Sequence, residues 1–183
     1  YPWEGARPDG LADSLEGGLN LYNRYPAPEA AAWCDHTARA LIDLQRDTGI
    51  FEGWYGDGNS ARTLIMYALW KSRGAYAEPW RADVRVGAVE NADGFTCVTV
   101  DTRWVYRGLL RFDVPRHSEY LNMPTDYARL NQFPEWFTVD EDTVYLVDTG
   151  DGPEKMAGET LRNGLPVATS EDTPFRVRVK PVQ

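Results

Sequence analysis

The chain has 183 residues, 43% of them hydrophobic and 26% charged, with a formal net charge of −9. That is enough apolar material for one large or two small folded domains. The acidity is shared, 7 basic against 11 acidic residues in 1–80 and 12 against 17 in 81–183, so neither half carries the basic footprint that nucleic acid or an anionic membrane requires.

Tyr1 to Pro8 is an extended lead-in without an initiator Met, which reads as a processed chain or a fragment of a longer one. No stretch reads as a signal peptide or a membrane span, and the compartment stays open. Asp9 is placed as the N-cap of a first helix, whose Leu11, Leu15, Leu19 and Tyr22 recur at three- and four-residue steps. Gly17 and Gly18 are poor helix formers and point to a close approach by another backbone. Pro26 and Pro28 end this helix.

Glu29 to Asp47 reads as a second helix with Ala30, Cys34, Ala38, Leu41, Ile42 and Leu44 or Gln45 on its apolar stripe. A glycine-rich aromatic loop follows, FEGWYGDGN, and then a third helix from about Ser60 to Arg73, closed by Gly74. Asn59 or Ser60 is expected to cap it, and Leu64, Ile65, Ala68 and Leu69 to form its apolar stripe. Three helices joined by short loops make antiparallel hairpins.

At Pro79 the texture changes. VRVGAVE, the turn Asn91-Ala92-Asp93-Gly94, FTCVTVD, WVYRGLLRFDV with Gly108 as a bend or bulge, VYLVD and FRVRVKPV read as short strands between turns. The expected division is a helical part over 1–80 and a β part over 81–183. Residues 114–136 carry three prolines and little period, and read as an interdomain brace or a functional loop.

Three groups carry possible chemistry. Asp9, Asp13 and Glu16 share one helix face, and acids so placed can supply the general acid and base that glycoside hydrolysis requires. They can equally be solvated acids that favour a helix N-terminus. In the second group, Trp54 and Tyr55 offer flat apolar faces to a sugar ring, while Asp57, Asn59 and Arg62 offer polar partners. A structural bridge from Arg62 to Asp57 or Glu52 is the plainer alternative. The up-down-up order of the helices brings the starts of the first and third to one end, so Glu16 and Asp57 are expected to face one cleft with Trp54. The third group, Arg116, His117, Tyr120 and Tyr127, could serve a β-eliminating lyase as base, acid and carboxylate partner.

Cys34 and Cys97 fit buried positions as free thiols, and a disulfide between them stays open. No CxxC pair, Cys/His cluster or phosphate loop occurs, so no metal and no cofactor is expected.

The run DGLADSLEGGLNLYNRYP, a long helix, FEGWYGDGNSARTLIMYALWKSRG and then a β-rich tail resembles the closing portion of (α/α) toroid carbohydrate-active proteins. These are the six-hairpin glycosidases and the related polysaccharide lyases with a β-sandwich after the toroid. The resemblance covers residues 9–183 and is one of layout, without a catalytic motif matched residue by residue. It implies an α+β multidomain fold, helical hairpins of a toroid followed by an antiparallel β-sandwich. It also implies a substrate groove at the mouth of the helices. Three helices cannot close a toroid, so further polypeptide is expected as a partner. The function so read is glycoside hydrolysis with Glu16, Asp57 and Asp13 as catalytic carboxylates and Trp54, Tyr55, Asn59 and Arg62 binding the glycan. The alternatives are a polysaccharide lyase and a noncatalytic glycan-binding or structural subunit.

Overall fold

The computed structural model describes residues 7–53, 57–125 and 133–182, and in it three long helices precede a set of antiparallel strands. The described residues through Trp70, with Phe133 and Pro134, form one compact unit, and the rest form a second. Among the described residues no helix is long and apolar enough to cross a membrane.

In the helical unit, α1 spans Pro8–Arg24, α2 Pro28–Asp43 and α3 Asp57–Ser72. Pro8 and Pro28 open the first two helices, where a missing N–H costs nothing. Neither helix has a side-chain cap; the Asp9 carboxylate expected as a cap bonds to α3 instead. Leu15 and Leu19 are fully buried, as their spacing predicts, and Ala12 completes the apolar face. The approach at Gly18 is made by side chains rather than backbone. A β-carbon there would stand 2.5 Å from the Trp33 ring and 2.9 Å from Cys34 Sγ, whereas Gly17 has open space.

On α2, Cys34, Ala38 and Leu41 are buried, but Ile42 and Leu44 are exposed, and the helix ends at Asp43 rather than Asp47. The buried face of α3 departs most from its sequence. Ser60, Thr63, Met66 and Trp70 face inward, while Ile65 is 54% exposed. Asn59 and Ser60 sit inside the helix rather than capping it. The reason is polar packing: Thr63 Oγ1 donates to the carbonyl of Ala12 at 3.1 Å, so a small hydroxyl serves where an apolar residue was expected. The contacts Asp9–Asn59, Ala12–Thr63 and Tyr22–Trp70 advance together along both helices. α1 and α3 are therefore parallel and begin at the same end of the unit.

Arg73 and Gly74, with φ of 53° and 80°, turn the chain out of α3. The strands are β1 Tyr76–Glu78, β2 Arg85–Glu90, β3 Thr96–Asp101, β4 Tyr106–Arg111, β5 Val144–Asp148, β6 Glu154–Ala157, β7 Leu165–Thr169 and β8 Phe175–Pro181. Short helices α4, Arg116–Glu119, and α5, Gly158–Asn163, lie between them. β1 thus precedes the period change at Pro79; three residues are too few to show alternation.

β1, β4 and β7 form one antiparallel sheet, and β2, β3, β8, β5 and β6 form the other, in those orders. Strict alternation buries Val98, Val100, Val177 and Val179 of the larger sheet in one core with Ala77, Leu110, Leu165 and Val167 of the smaller. The turn after β2 closes as its sequence predicts: Asn91 Oδ1 accepts the amides of Asp93 and Phe95 at 3.0 and 2.9 Å, and Gly94 has φ 75°. Gly108 is neither bend nor bulge. It pairs in register with Val167, and a β-carbon there would strike the Tyr106 hydroxyl and the Glu78 carbonyl.

Candidate functional site

The helical unit brings the three acids of the first sequence-derived group to Asn59 and Arg62 of the second. Asp9, Asp13 and Glu16 occupy the face of α1 that meets α3. Asn59 Nδ2 donates to Asp9 Oδ1 at 2.6 Å, and Arg62 Nη1 donates to Asn59 Oδ1 at 3.2 Å. Arg62 Nη2 lies 3.4 Å from Asp13 Oδ1 and forms an ion pair with Glu16 Oε2. Three carboxylates, one amide and one guanidinium so make a continuous polar network between two parallel helices. Within it the Glu16 and Arg62 side chains are 14% and 18% exposed, while that of Asp13 is 58% exposed. The guanidinium thus reaches across to α1, where the sequence offered it Asp57 or Glu52.

Asp57 has a different task. Its Oδ1 accepts the backbone N–H of Glu52 at 2.7 Å and its Oδ2 that of Gly53 at 2.9 Å. Both oxygens fold back onto the loop that precedes α3 and hold it to the helix start. Trp54 and Tyr55 lie outside the described residues.

Tyr67 links α3 to α2: its hydroxyl donates to Asp35 Oδ1 at 2.7 Å. Burial, and then the Asp35 carboxylate, push the Tyr67 phenol up to about 12. Burial likewise pushes the Cys34 thiol up to about 11, with Asp35 adding to it. A thiol so placed is a packing group, not a nucleophile. Both cysteines are free.

The third group separates. His117 is 2% exposed and its Nδ1 lies 2.5 Å from Glu135 Oε1, whereas Tyr120 is exposed. Arg116 is held by Asp113 through Nε and Nη2, each at 2.9 Å from a carboxylate oxygen. Tyr127 lies outside the described residues. The sequence reading missed Glu135 as the partner of His117. The two stand 18 residues apart in a stretch without period, and no spacing rule links them. Among the described residues, no group of three or more His, Cys, Asp or Glu is placed to hold a metal ion.

No protein-family model, curated protein or solved structure matches this chain.

Chemically, the α1–α3 network sets three carboxylates beside one amide and one guanidinium. Its open member is Asp13, its anchored members Glu16 and Arg62. A carboxylate that meets solvent can accept a hydrogen bond from a small polar group. The partly buried Glu16–Arg62 pair is a fixed charge pair between the two helices.

Proposed function

We propose that the protein is carbohydrate-active and that its helical unit acts on a glycosidic bond by carboxylate chemistry. In this reading α1–α3 belong to an (α/α) toroid completed by further polypeptide, and the two sheets form an antiparallel β-sandwich. The observation that carries it is the network in which Asp9, Asp13 and Glu16 meet Asn59 and Arg62 across parallel helices. Asp13, the carboxylate most open to solvent, takes the proton-transfer role. Glu16 is its partner and fixes Arg62, which with Asn59 binds sugar hydroxyls. Asp57 is a positioning residue that holds the start of the aromatic loop carrying Trp54 and Tyr55.

β-Elimination by His117 finds less support, because a ring almost wholly buried against Glu135 has no path to a polymer. A noncatalytic glycan-binding role is the second reading. It is favoured by the commitment of Glu16 to Arg62 and of both Asp57 oxygens to backbone amides.

The test is reducing-end release from a polysaccharide panel, with ultraviolet absorbance recorded alongside to detect the conjugated product of elimination. Asp13→Asn and Glu16→Gln are expected to lower turnover by about 100-fold or more in a folded protein, the scale of general acid–base catalysis. Asp57→Asn is expected to retain most turnover. Full activity in both Asp13→Asn and Glu16→Gln overturns the assignment, and glycan binding without any cleavage favours the second reading.

A further inference from the structure

The β unit carries a cavity of about 510 Å³ at one end of the β2–β3 ladder, where Arg85 and Asp101 are paired in register. Its walls also include Asp83, Arg103, Trp104 and Glu171. This volume lies within the range of small-molecule sites, about 300–1,000 Å³.

The loop that follows β3 is pinned from two sides. Arg81 clamps Asp83 through Nε at 2.5 Å and Nη2 at 2.9 Å. Asp83 Oδ2 then accepts the backbone amides of Arg103 and Trp104, each at 3.2 Å. Arg81 also donates to the carbonyls of Trp104 and Val105 at 3.0 and 3.1 Å. On the other side, the Thr102 and Thr169 hydroxyls bond at 2.5 Å and tie the loop to β7. Five hydrogen bonds thus fix a short connection that a plain turn could make with one or two, and the two Arg81–Asp83 bonds brace the clamp itself.

What they hold in place is the backbone that carries an indole into water. Trp104 is 59% exposed, with the Arg103 guanidinium 5.1 Å from its ring centroid. A rigid scaffold that presents an aromatic face beside a polar cavity is the arrangement a binding site needs, because little ordering entropy remains to be lost on association. The polar groups of the walls decide the ligand. Arg85 and Arg103 are balanced by Asp101 and Glu171, and Asp83 by Arg81, so the site offers donors and acceptors without a net field. That excludes a polyanion as the preferred occupant and fits a neutral ring rich in hydroxyls. Its C–H face would lie on the indole and its hydroxyls bond to carboxylates and guanidinium groups.

We propose that this cavity binds a neutral saccharide, with Trp104 as the stacking platform and Arg85, Asp101 and Glu171 as hydroxyl partners. The site lies wholly within the β unit and does not depend on catalysis by the helical unit.

The test is calorimetry on the full chain with cellohexaose, xylohexaose, mannohexaose and maltohexaose as neutral probes and hexagalacturonate as the charged one, backed by indole N–H resonances of tryptophan-labelled protein. At least one neutral hexasaccharide is expected to bind and to shift the Trp104 indole signal. Trp104→Ala and Arg85→Gln, both at the surface, are each expected to weaken that binding by about tenfold, while Glu16→Gln leaves the shift of the Trp104 indole signal unchanged. The proposal is overturned by any of three results: no neutral probe binds, only hexagalacturonate binds, or binding persists unchanged in both Trp104→Ala and Arg85→Gln. Because Glu16 lies in the other unit, full cleavage in Asp13→Asn and Glu16→Gln overturns the catalytic reading alone, whereas binding unaffected by Trp104→Ala and Arg85→Gln overturns this one alone.

Discussion

Glu135 holds His117 twice: the same oxygen, Oε1, accepts the backbone N–H of His117 at 2.7 Å and lies 2.5 Å from its ring Nδ1. The imidazole is buried, so this carboxylate fixes the start of α4 and the ring it carries. Glu135→Ala is expected to cost about 1–3 kcal/mol, the penalty for stranding buried polar groups. Glu135→Gln, which keeps an acceptor, is expected to cost less. Urea denaturation checks both; equal stability of Glu135→Ala and the parent would show that water replaces the contact.

Two neighbouring hydroxyls of α3 predict opposite outcomes. Thr63 Oγ1 donates to Ala12 and is fully buried, so Thr63→Val should destabilise by about 1 kcal/mol. Ser60 is as deeply buried, but its Oγ has no hydrogen-bond partner among the described residues. Ser60→Ala removes an unsatisfied polar group and should be neutral or stabilising. Thermal melts of the two variants side by side settle the matter, and a large loss on Ser60→Ala would point to a partner that binds there.

Acid should unfold the β unit through two aspartates. The Arg81 guanidinium, helped by the Trp104 amide, holds the Asp83 carboxyl below its ordinary value of 3.8. Arg178 and the amides of Gly150 and Gly152 do the same for Asp148. A carboxyl whose folded value is lowered binds its proton more readily in the unfolded chain. Its stabilisation is therefore complete above the unfolded value, near 3.8, and fades as pH falls through the lower folded value. Denaturation midpoints should hold from pH 7 to 5 and drop below pH 4. Asp148→Asn should flatten that drop. A midpoint that falls equally in parent and variant would assign the acid sensitivity to other groups.

The helices and strands are legible wherever burial follows period. Leu15, Leu19 and the valines of β3 and β8 sit where their spacing places them, because one face of each element meets a core. The third helix departs from its hydropathy for a physical reason. Its packed face is lined by Ser60 and Thr63, small enough to let α1 approach, and hydropathy does not mark such residues. β1 and β6 are too short to alternate visibly, and β7 carries a proline that masks it. For the candidate site, the shared face of Asp9, Asp13 and Glu16 can be read from steps of four and three. Its attachment to Asn59 and Arg62 cannot, since it depends on the parallel approach of helices about 50 residues apart, as the separation of Asp9 from Asn59 shows. The platform at Trp104 is equally hidden. Its clamp joins Arg81 and Asp83 to residues beyond a complete hairpin, and only the sheet register brings them together.

Two glycines of the β unit separate close packing from mere flexibility. Gly158 opens α5 and donates its N–H to the Thr143 carbonyl at 2.8 Å. A β-carbon on Gly158 would overlap the Asp140 carbonyl and stand 3.0 Å from the Thr143 oxygen. Neither obstacle can retreat cheaply. The Asp140 amide is bonded to the Tyr145 hydroxyl at 2.8 Å, and Val139 before it donates to the Asp113 carbonyl at the same distance. Gly158→Ala should therefore cost at least about 2 kcal/mol, as overpacking against fixed backbone does. Gly87 lies in β2, where an added β-carbon would meet nothing within 4 Å. There the same substitution removes only the entropy cost of a strand glycine, and Gly87→Ala should stabilise by about 0.5 kcal/mol. Differential scanning calorimetry of both variants reads the contrast directly. Comparable melting temperatures would mean that the Asp140–Thr143 turn yields to the added carbon, and that Gly158 is not held by its surroundings.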